Sequence, residues 1–349
     1  MSAVTCSVFV DSVFSGTEGT QNGCNYNKEK PKLSRLDFGS LERVKLDLGN
    51  LTHRRIDCIK EDRYSPGTFY FVAVNSIRRW VTGEPVSRFL GNVSDAEYNP
   101  GGYVDGPSSV AEFSLISDFV QFNSTKMAIG DYTNACVRLY DFETDMVSTI
   151  VGVCNAFARR IIPYNGTWNH MDNKVHIKDS LAPQFGGVIG ITVLEKWNKL
   201  LVLDSAYKVI IQHNFAEQKT QVLDTNLYEN CPGSVLVIAD EDENNIFISH
   251  AYGLSQYNFH TQQITLLFGT FDGTTSKQVE LIPGPFTTAR TGQMRALSWL
   301  LQDKILVALR KAYNEALILI DLKSKQVISI CEGKMGNPVV NWAALYMHI

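Results

Sequence analysis

One pattern of short β-rich runs and polar turns recurs along most of the 349-residue chain. Its clearest copy spans residues 105–152, where polar turns at 123–125, 132–134 and 143–145 separate four runs rich in apolar and β-branched residues. Short runs of this kind joined by tight turns predict antiparallel strands that are neighbours in one sheet. The repeating unit is therefore expected to be an up-and-down sheet of four strands.

Other parts of the chain follow the same pattern. Copies of it occur at residues 69–91, 200–223, 246–269 and 305–331. Residues 8–49 supply three more strands, and the first strand that they lack is supplied by residues 339–346. A sheet shared by the two termini would close a ring of sheets without leaving an open sheet edge.

The repeats predict an all-β fold, a six-bladed β-propeller of four-stranded antiparallel blades. Blades one to five occupy residues 51–336, and the last blade is closed by strands from residues 1–50 and 337–349. The whole chain, residues 1–349, is then a single domain, because its first and last strands belong to the same sheet.

The unit at 105–152 also carries specific residues at fixed spacing. Asp105-Gly106 is followed by Ala111 and Phe113, then by Asp131 and Asn134, and the unit ends with Thr149-Ile150-Val151-Gly152. This arrangement resembles the NHL repeat, and elsewhere the match is partial, with Asp272-Gly273 as a second copy of the opening pair. The resemblance implies a propeller but no particular activity.

Three long segments interrupt the period, at residues 15–32, 153–176 and 270–290. We expect them to be loops, which on a compact scaffold often carry function.

The composition narrows the class of protein. A hydrophobic fraction of 44% excludes an extended disordered chain, and a net charge of -4 argues against a nucleic-acid binder despite local basic pairs such as Arg54-Arg55 and Arg78-Arg79. The sequence contains no run of about 18 consecutive apolar residues, so no membrane-spanning segment is predicted. The start at Met1 lacks the features of a signal peptide, which favours an intracellular protein, or a secreted one if the chain is a mature domain with an added methionine.

The seven cysteines form no CxxC pair, so a zinc ribbon or a thioredoxin motif is excluded. We interpret most of them as reduced residues of the core and strands. Cys24 lies in a polar loop and could pair with Cys6 in an oxidising compartment.

No nucleotide-binding, zincin or serine-hydrolase motif occurs in the sequence. Asp240 opens an acidic run that lacks the glycine and glutamate of an EF-hand loop, which favours a turn between two strands. His250 follows a second strand and is a candidate metal ligand at the central channel, as in the zinc lyases among propellers similar to NHL proteins. No other blade offers a histidine at that position, so the remaining ligands would come from loops.

The turn after each second strand carries the most distinctive residues. Aligning the units superimposes an aromatic residue or an asparagine, with two basic neighbours in the last unit: Phe14, Asn134, Tyr207, Tyr252, Tyr313, Arg310 and Lys311. These turns gather on one face of a propeller, where aromatic anchors would form a recognition surface. The same residues could instead pack blades against each other.

The sequence thus favours a non-enzymatic scaffold that binds another protein or a peptide, without a cofactor and with the oligomeric state open. The alternative is a metal-dependent lyase or hydrolase whose site lies in the central channel.

Overall fold

In the computed structural model, the described residues are 6–11, 33–37, 43–45, 57–73, 75–91, 101–152, 154, 168–169, 174–175, 188–204, 209–217, 219–223, 237–240, 242–249, 253–261, 263–269, 281–301, 303–310, 315–332 and 341–347. For the strands before residue 57 and after residue 340, and for those near residue 170, the description covers the backbone alone. Within the described residues, every regular element is a β-strand except one 3₁₀ turn, Glu195–Trp197.

Among the described residues, the first half of the chain supplies fourteen strands. Before blade one come β1 (Cys6–Asp11), β2 (Leu33–Asp37) and β3 (Arg43–Lys45). Blade one contains β4 (Asp57–Glu61), β5 (Thr68–Ala73), β6 (Ser76–Val81) and β7 (Ser87–Leu90). Blade two contains β8 (Gly106–Pro107), β9 (Ile116–Asn123), β10 (Lys126–Asp131), β11 (Cys136–Asp141) and β12 (Met146–Val151). A separate two-stranded sheet joins β13 (Trp168–Asn169) and β14 (Lys174–Val175).

The second half repeats this order. Blade three contains β15 (Val188–Leu194), β16 (Lys199–Asp204), β17 (Val209–Asn214) and β18 (Lys219–Leu223). Blade four contains β19 (Val237–Ala239), β20 (Asn245–Ser249), β21 (Leu254–Asn258) and β22 (Gln263–Phe268). Blade five contains β23 (Gly284–Pro285), β24 (Gln293–Leu301), β25 (Lys304–Arg310), β26 (Glu315–Asp321) and β27 (Gln326–Glu332), and β28 (Asn341–Met347) follows.

The blades surround a common axis, which confirms an all-β propeller. The first long strand of each blade lies innermost: β4 contacts β9, β9 contacts β15, β15 contacts β19, and β19 contacts β24. All strand pairs within the blades are antiparallel. Side chains are described for most residues of blades one to five.

The terminal strands form a further sheet, in the order β28-β1-β2-β3. β28 and β1 are antiparallel, with Cys6 opposite Met347 and Val8 opposite Leu345. β28 also contacts β24 of blade five and β4 of blade one. This pairing is the basis of the ring closure proposed below.

The hydrophobic core lies between adjacent blades. Tyr70 and Leu90 of blade one pack with Phe113 and Phe119 of blade two, and similar clusters join blades two to three, three to four, and four to five. Fully burying a large apolar side chain contributes about 1.5–3 kcal/mol. Each blade therefore depends on its neighbours for much of its stability.

A repeated polar residue fixes the turn after the third strand in four blades. Asp141, Asn214, Asn258 and Asp321 each end their strand and accept backbone N–H bonds from the turn that follows. The N–H of Thr144 is the main cause of the lowered pKa of Asp141. This side-chain chemistry is why Asp or Asn recurs at these positions.

The structure corrects the prediction of a loop at 270–290 for residues 281–290, which are the part of that segment that it describes. Gly284–Pro285 pairs with β27 just as Gly106–Pro107 pairs with β12, and Ile282 bridges to Arg290. The repeat of the opening motif in blade five is therefore Gly284-Pro285 with Ala289, whereas the predicted copy, Asp272-Gly273, lies outside the described residues. Proline in place of aspartate hid this copy in the sequence.

Candidate functional site

Most of the predicted recognition residues lie outside the part of the chain that the structure describes. Phe14, Tyr207, Tyr252, Tyr313 and Lys311 lie outside the described residues, as does the candidate metal ligand His250. Arg310 is described by its backbone as the last residue of β25. A recognition surface or a metal site built from these residues remains a prediction.

Asn134 is the exception, and its predicted role as an exposed contact is wrong. Its side chain is fully buried, and its amide nitrogen donates to Gly102 O at 2.7 Å and to Asp131 Oδ2 at 2.8 Å. The amide of Asn134 therefore bonds to the backbone of Gly102 and to Asp131 inside blade two.

Asn134 belongs to a buried ionic cluster with Asp131 and Arg138, hereafter the blade-two cluster. Asp131 ends β10, and Arg138 projects from the middle of β11; both side chains are 0% exposed. Arg138 Nη1 lies 3.3 Å from Asp131 Oδ2, and the Ser114 N–H donates to Asp131 Oδ1 at 2.9 Å. Burying charges is tolerated because each one is paired and hydrogen-bonded.

The cluster holds residues 101–115, hereafter the blade-two hairpin. Two backbone bonds make this segment a hairpin, from Gly102 N to Phe113 O and from Glu112 N to Val104 O. Arg138 donates to Val104 O at 2.8 Å and to Glu112 O at 3.1 Å, so a single guanidinium bridges its two arms. Five donors in a planar fork make arginine suited to this role.

Burial and hydrogen bonding have opposite effects on the pKa of Asp131 in the cluster. Burial raises the pKa of Asp131 to about 6, against the opposing effects of Asn134, the Ser114 N–H and Arg138. Arg138 also pairs with Asp105 at the edge of the hairpin and lies 5.2 Å from the centroid of the Phe113 ring. Near neutral pH the cluster therefore contains the ion pair of Asp131 and Arg138, and the side chain of Asp105 lies at its partly exposed edge.

The hairpin presents apolar side chains to solvent. The exposed ones are Tyr103, Val104, Val110 and Leu115, with Tyr103 at 51% and Leu115 at 41%. Leu115 has a φ of 58°, which is unusual for a branched residue, and this geometry is fixed by bonds from Leu115 N to Asn75 Oδ1 at 2.6 Å and from Tyr132 N to Leu115 O at 3.1 Å. The apolar surface is therefore exposed on a backbone held from several sides.

A disulfide lies next to the cluster. Cys136 and Cys154 are bonded, with Cα atoms 5.1 Å apart, which corrects the interpretation of these two cysteines as reduced. Atoms of Asp131, Cys136 and Cys154 lie within 4.8 Å of one another, but disulfide sulfurs are not thiolates, so the group is no metal site as it stands. The predicted Cys6–Cys24 pair lies outside the described side chains.

Another polar cluster lies on the innermost strands. Asp118 of β9 accepts from Lys60 Nζ at 2.6 Å, from Cys58 Sγ at 3.0 Å and from the N–H of Ile191 at 3.1 Å. It thereby joins blades one, two and three. Burial raises the pKa of the Cys58 thiol, so that the thiol is protonated and is no nucleophile.

Two other predicted or candidate features have structural roles. Asp240 begins the turn between β19 and β20, as predicted, and accepts from Asn245 N at 3.0 Å and from Asn245 Nδ2 at 2.6 Å. His213 is buried in β17 with its Nδ1 3.0 Å from Thr220 Oγ1, and burial lowers its pKa.

Among the described residues no helix is long and apolar enough to cross a membrane.

No family model and no curated protein matches the sequence. The fold is similar to a chain in the crystal structure of a nidogen/laminin complex, with a TM-score of 0.56 and 9% identity over 99% of this chain and 98% of that one. It is also similar to TolB from Acinetobacter baumannii, with a TM-score of 0.52 and 10% identity over 99% and 66% of the two chains. At such low identity the likeness shows a β-propeller fold alone.

Proposed function

We propose that this chain is a non-enzymatic β-propeller that binds another protein or a peptide. The observation that carries the proposal is the blade-two hairpin, whose apolar side chains are exposed while its backbone is bonded to a buried ionic cluster. Of the NHL-like residues of the sequence, Asp131 and Asn134 bond to the backbone of this hairpin, and Asp105 within the hairpin pairs with Arg138.

Topology puts the hairpin at one end of the blades. Because neighbouring strands are antiparallel, the turn after each second strand and the segment leading into each first strand lie at the same end. The hairpin leads into β9, and it bonds to the turn after β10 through Tyr132 N and Thr133 N. The proposed surface is therefore centred on the hairpin and on the turn after β10, whereas Tyr207, Tyr252 and Tyr313 lie outside the described residues.

Rigidity favours binding at this surface. Association costs free energy when side chains and loops must be ordered, and a pre-formed hairpin avoids part of that cost. Tyr103 has the amphipathic ring that is enriched among strongly contributing interface residues. We expect it to be the main anchor, with Val104, Val110 and Leu115 supplying apolar area.

The nidogen/laminin structure gives the proposal a precedent. That crystal structure is of a nidogen/laminin complex, and one of its chains is similar in fold to this chain. The precedent supports the class of function and leaves the partner of this chain to experiment.

The test starts from partner capture in the source organism, followed by measurement of Kd with the purified partner. We expect Tyr103→Ser and Val110→Ser to weaken binding at least about tenfold each, because each removes an apolar anchor. Ile330→Ser on β27 removes an equally exposed apolar side chain from blade five and is the matched control. A purified partner whose affinity is the same for the hairpin variants and for the control would refute the proposal.

We also propose that the terminal sheet is a sixth blade that closes the ring. Support comes from the pairing of β28 with β1 and from the contacts of β28 with both β24 and β4. Deleting residues 341–349 should then lower the melting temperature of the whole molecule, whereas deleting residues 348–349 alone should not. An unchanged melting temperature after the longer deletion would contradict closure.

A further inference from the structure

A pocket of about 340 Å³ lies between blades one and two. It is lined by Asp62, Tyr64, Ser65, Tyr70, Arg79, Ser87, Arg88, Phe89, Ser124 and Phe142. Asp62 and Ser124 follow first strands and Phe142 follows a third strand, so the pocket opens at the end of the blades opposite the blade-two hairpin. Its volume lies in the range typical of small-molecule sites, about 300–1,000 Å³.

The one carboxylate among the described lining residues is already saturated. Asp62 accepts hydrogen bonds from Tyr64 N at 2.8 Å, Ser65 N at 3.1 Å and Tyr70 Oη at 3.2 Å. Three donors satisfy most of the acceptor capacity of a carboxylate. Asp62 thus shapes the pocket, and its acceptor capacity is largely taken up by donors of the protein itself.

Arg79 lines the pocket beside Tyr70. The hydroxyl of Tyr70 donates to Asp62 Oδ2 at 3.2 Å. Burial raises the pKa of Tyr70, so this hydroxyl stays protonated and keeps its bond to Asp62. Arg79 and Arg88 each bring a guanidinium, with five N–H donors, to the lining of the pocket.

Aromatic rings form the apolar wall. The centroids of Tyr70 and Phe89 are 4.7 Å apart, and Phe142 lies 5.7 Å from Phe89 and 6.2 Å from Tyr70. These rings also pack against the interior, with Phe89 meeting Tyr140 edge to face. A planar ring entering the pocket would meet faces and edges of rings that are already fixed.

We propose that this pocket binds a small ligand made of an aromatic ring bearing an anionic group, a phosphate or a carboxylate. The guanidiniums of Arg79 and Arg88 would take the anion through charge-assisted hydrogen bonds, with hydroxyls of Ser65, Ser87 and Ser124 at hand, and the ring would lie against Phe89 and Phe142. The site is separate from the proposed partner surface and stands or falls independently of it.

Titration calorimetry of the full chain with phenyl phosphate and benzoate tests the proposal. We expect phenyl phosphate or benzoate to bind, and inorganic phosphate and benzyl alcohol, which each carry half of the chemistry, to bind at least about tenfold more weakly. Arg79→Gln and Arg88→Gln should each weaken binding about tenfold or more, since each removes a charged donor. Arg290→Gln, an exposed arginine of blade five, should leave the affinity unchanged.

Far-UV circular dichroism and melting temperature establish that each variant is folded before binding is compared. Failure of both aromatic anions to bind at millimolar concentration would overturn the proposal. So would equal binding by the folded arginine variants and the Arg290→Gln control, or equal affinity for inorganic phosphate and phenyl phosphate.

Discussion

The blade-two hairpin has a counterpart in blade five, residues 281–292, whose Gly-Pro turn has a similar backbone conformation. Gly106 and Gly284 have φ values of 143° and 137°, a region open to glycine, and each is followed by a proline. The carbonyl of that proline accepts from Ala111 N at 2.9 Å in blade two and from Ala289 N at 2.8 Å in blade five. Both hairpins pair a short strand with the last strand of their blade.

What lies beneath the two hairpins differs. Lys126 pairs with Asp141 in blade two and Lys304 with Asp321 in blade five, so the registers align. Counted from these pairs, Leu309 takes the place of Asp131 and Ile318 the place of Arg138, and both apolar side chains are buried. Blade five therefore builds the same turn over apolar packing.

An ionic pair is thus not required for the backbone motif, and burying one costs free energy of desolvation. In blade two that cost is offset by bonds to the backbone of Gly102, Val104, Glu112 and Ser114. Those bonds fix the longer hairpin on which Tyr103 and Leu115 are exposed. The two blades therefore differ in the apolar side chains that their hairpins expose, and in blade two this exposure depends on the ionic cluster.

The largest effect is expected from Arg138→Met. Losing the guanidinium leaves Asp131 buried without its cation, which typically destabilises by about 3–5 kcal/mol. Ile318→Val, the matched change in blade five, removes one methyl group and should cost about 0.5–1.5 kcal/mol. Urea unfolding measures both. Equal losses would show that the cluster is no more important than ordinary packing.

The next effect concerns the disulfide, which blade five lacks because Ala316 occupies the position of Cys136. The Cys136–Cys154 bond spans 18 residues. For a loop of about this length a disulfide contributes about 3 kcal/mol. Reduction with a dithiol should lower the free energy of unfolding of the wild-type chain by about that amount and leave Cys154→Ala unaffected. A reductant effect of the same size in Cys154→Ala would place it at another cysteine pair.

A smaller, pH-dependent effect separates the ionic cluster from its apolar counterpart. The pKa of Asp131 is raised from 3.8 to about 6 in the fold, so this carboxyl stabilises the folded state most below pH 3.8 and loses that contribution as the pH rises through about 6. In the double variant Asp131→Leu/Arg138→Ile this dependence is removed. The difference in unfolding free energy between wild type and the double variant should therefore change between pH 3.8 and about 6. A difference that is constant over this pH range would contradict a pH-dependent contribution from Asp131.

The sequence predicted blades one to five well because the period of short strands and Asx turns is local, whereas the predicted sixth blade stays a proposal. The opening motif of blade five was not recognised in the sequence because Pro283 precedes Gly284, whereas Asp105 precedes Gly106 in blade two. The role of Asn134 was misjudged since a buried amide and an exposed one look alike in a sequence. The disulfide, the Lys60–Asp118 bridge between blades and the arginine-lined pocket join residues far apart in the chain, and no local pattern reports such pairs.

The central claim is that the blade-two cluster holds the hairpin that displays Tyr103. Amide hydrogen exchange followed by mass spectrometry on wild type and on Asp131→Leu/Arg138→Ile tests it most directly. The account predicts faster exchange across residues 101–115 in the variant, with residues 281–292 of blade five unchanged. Equal protection of residues 101–115 in the two proteins would contradict it.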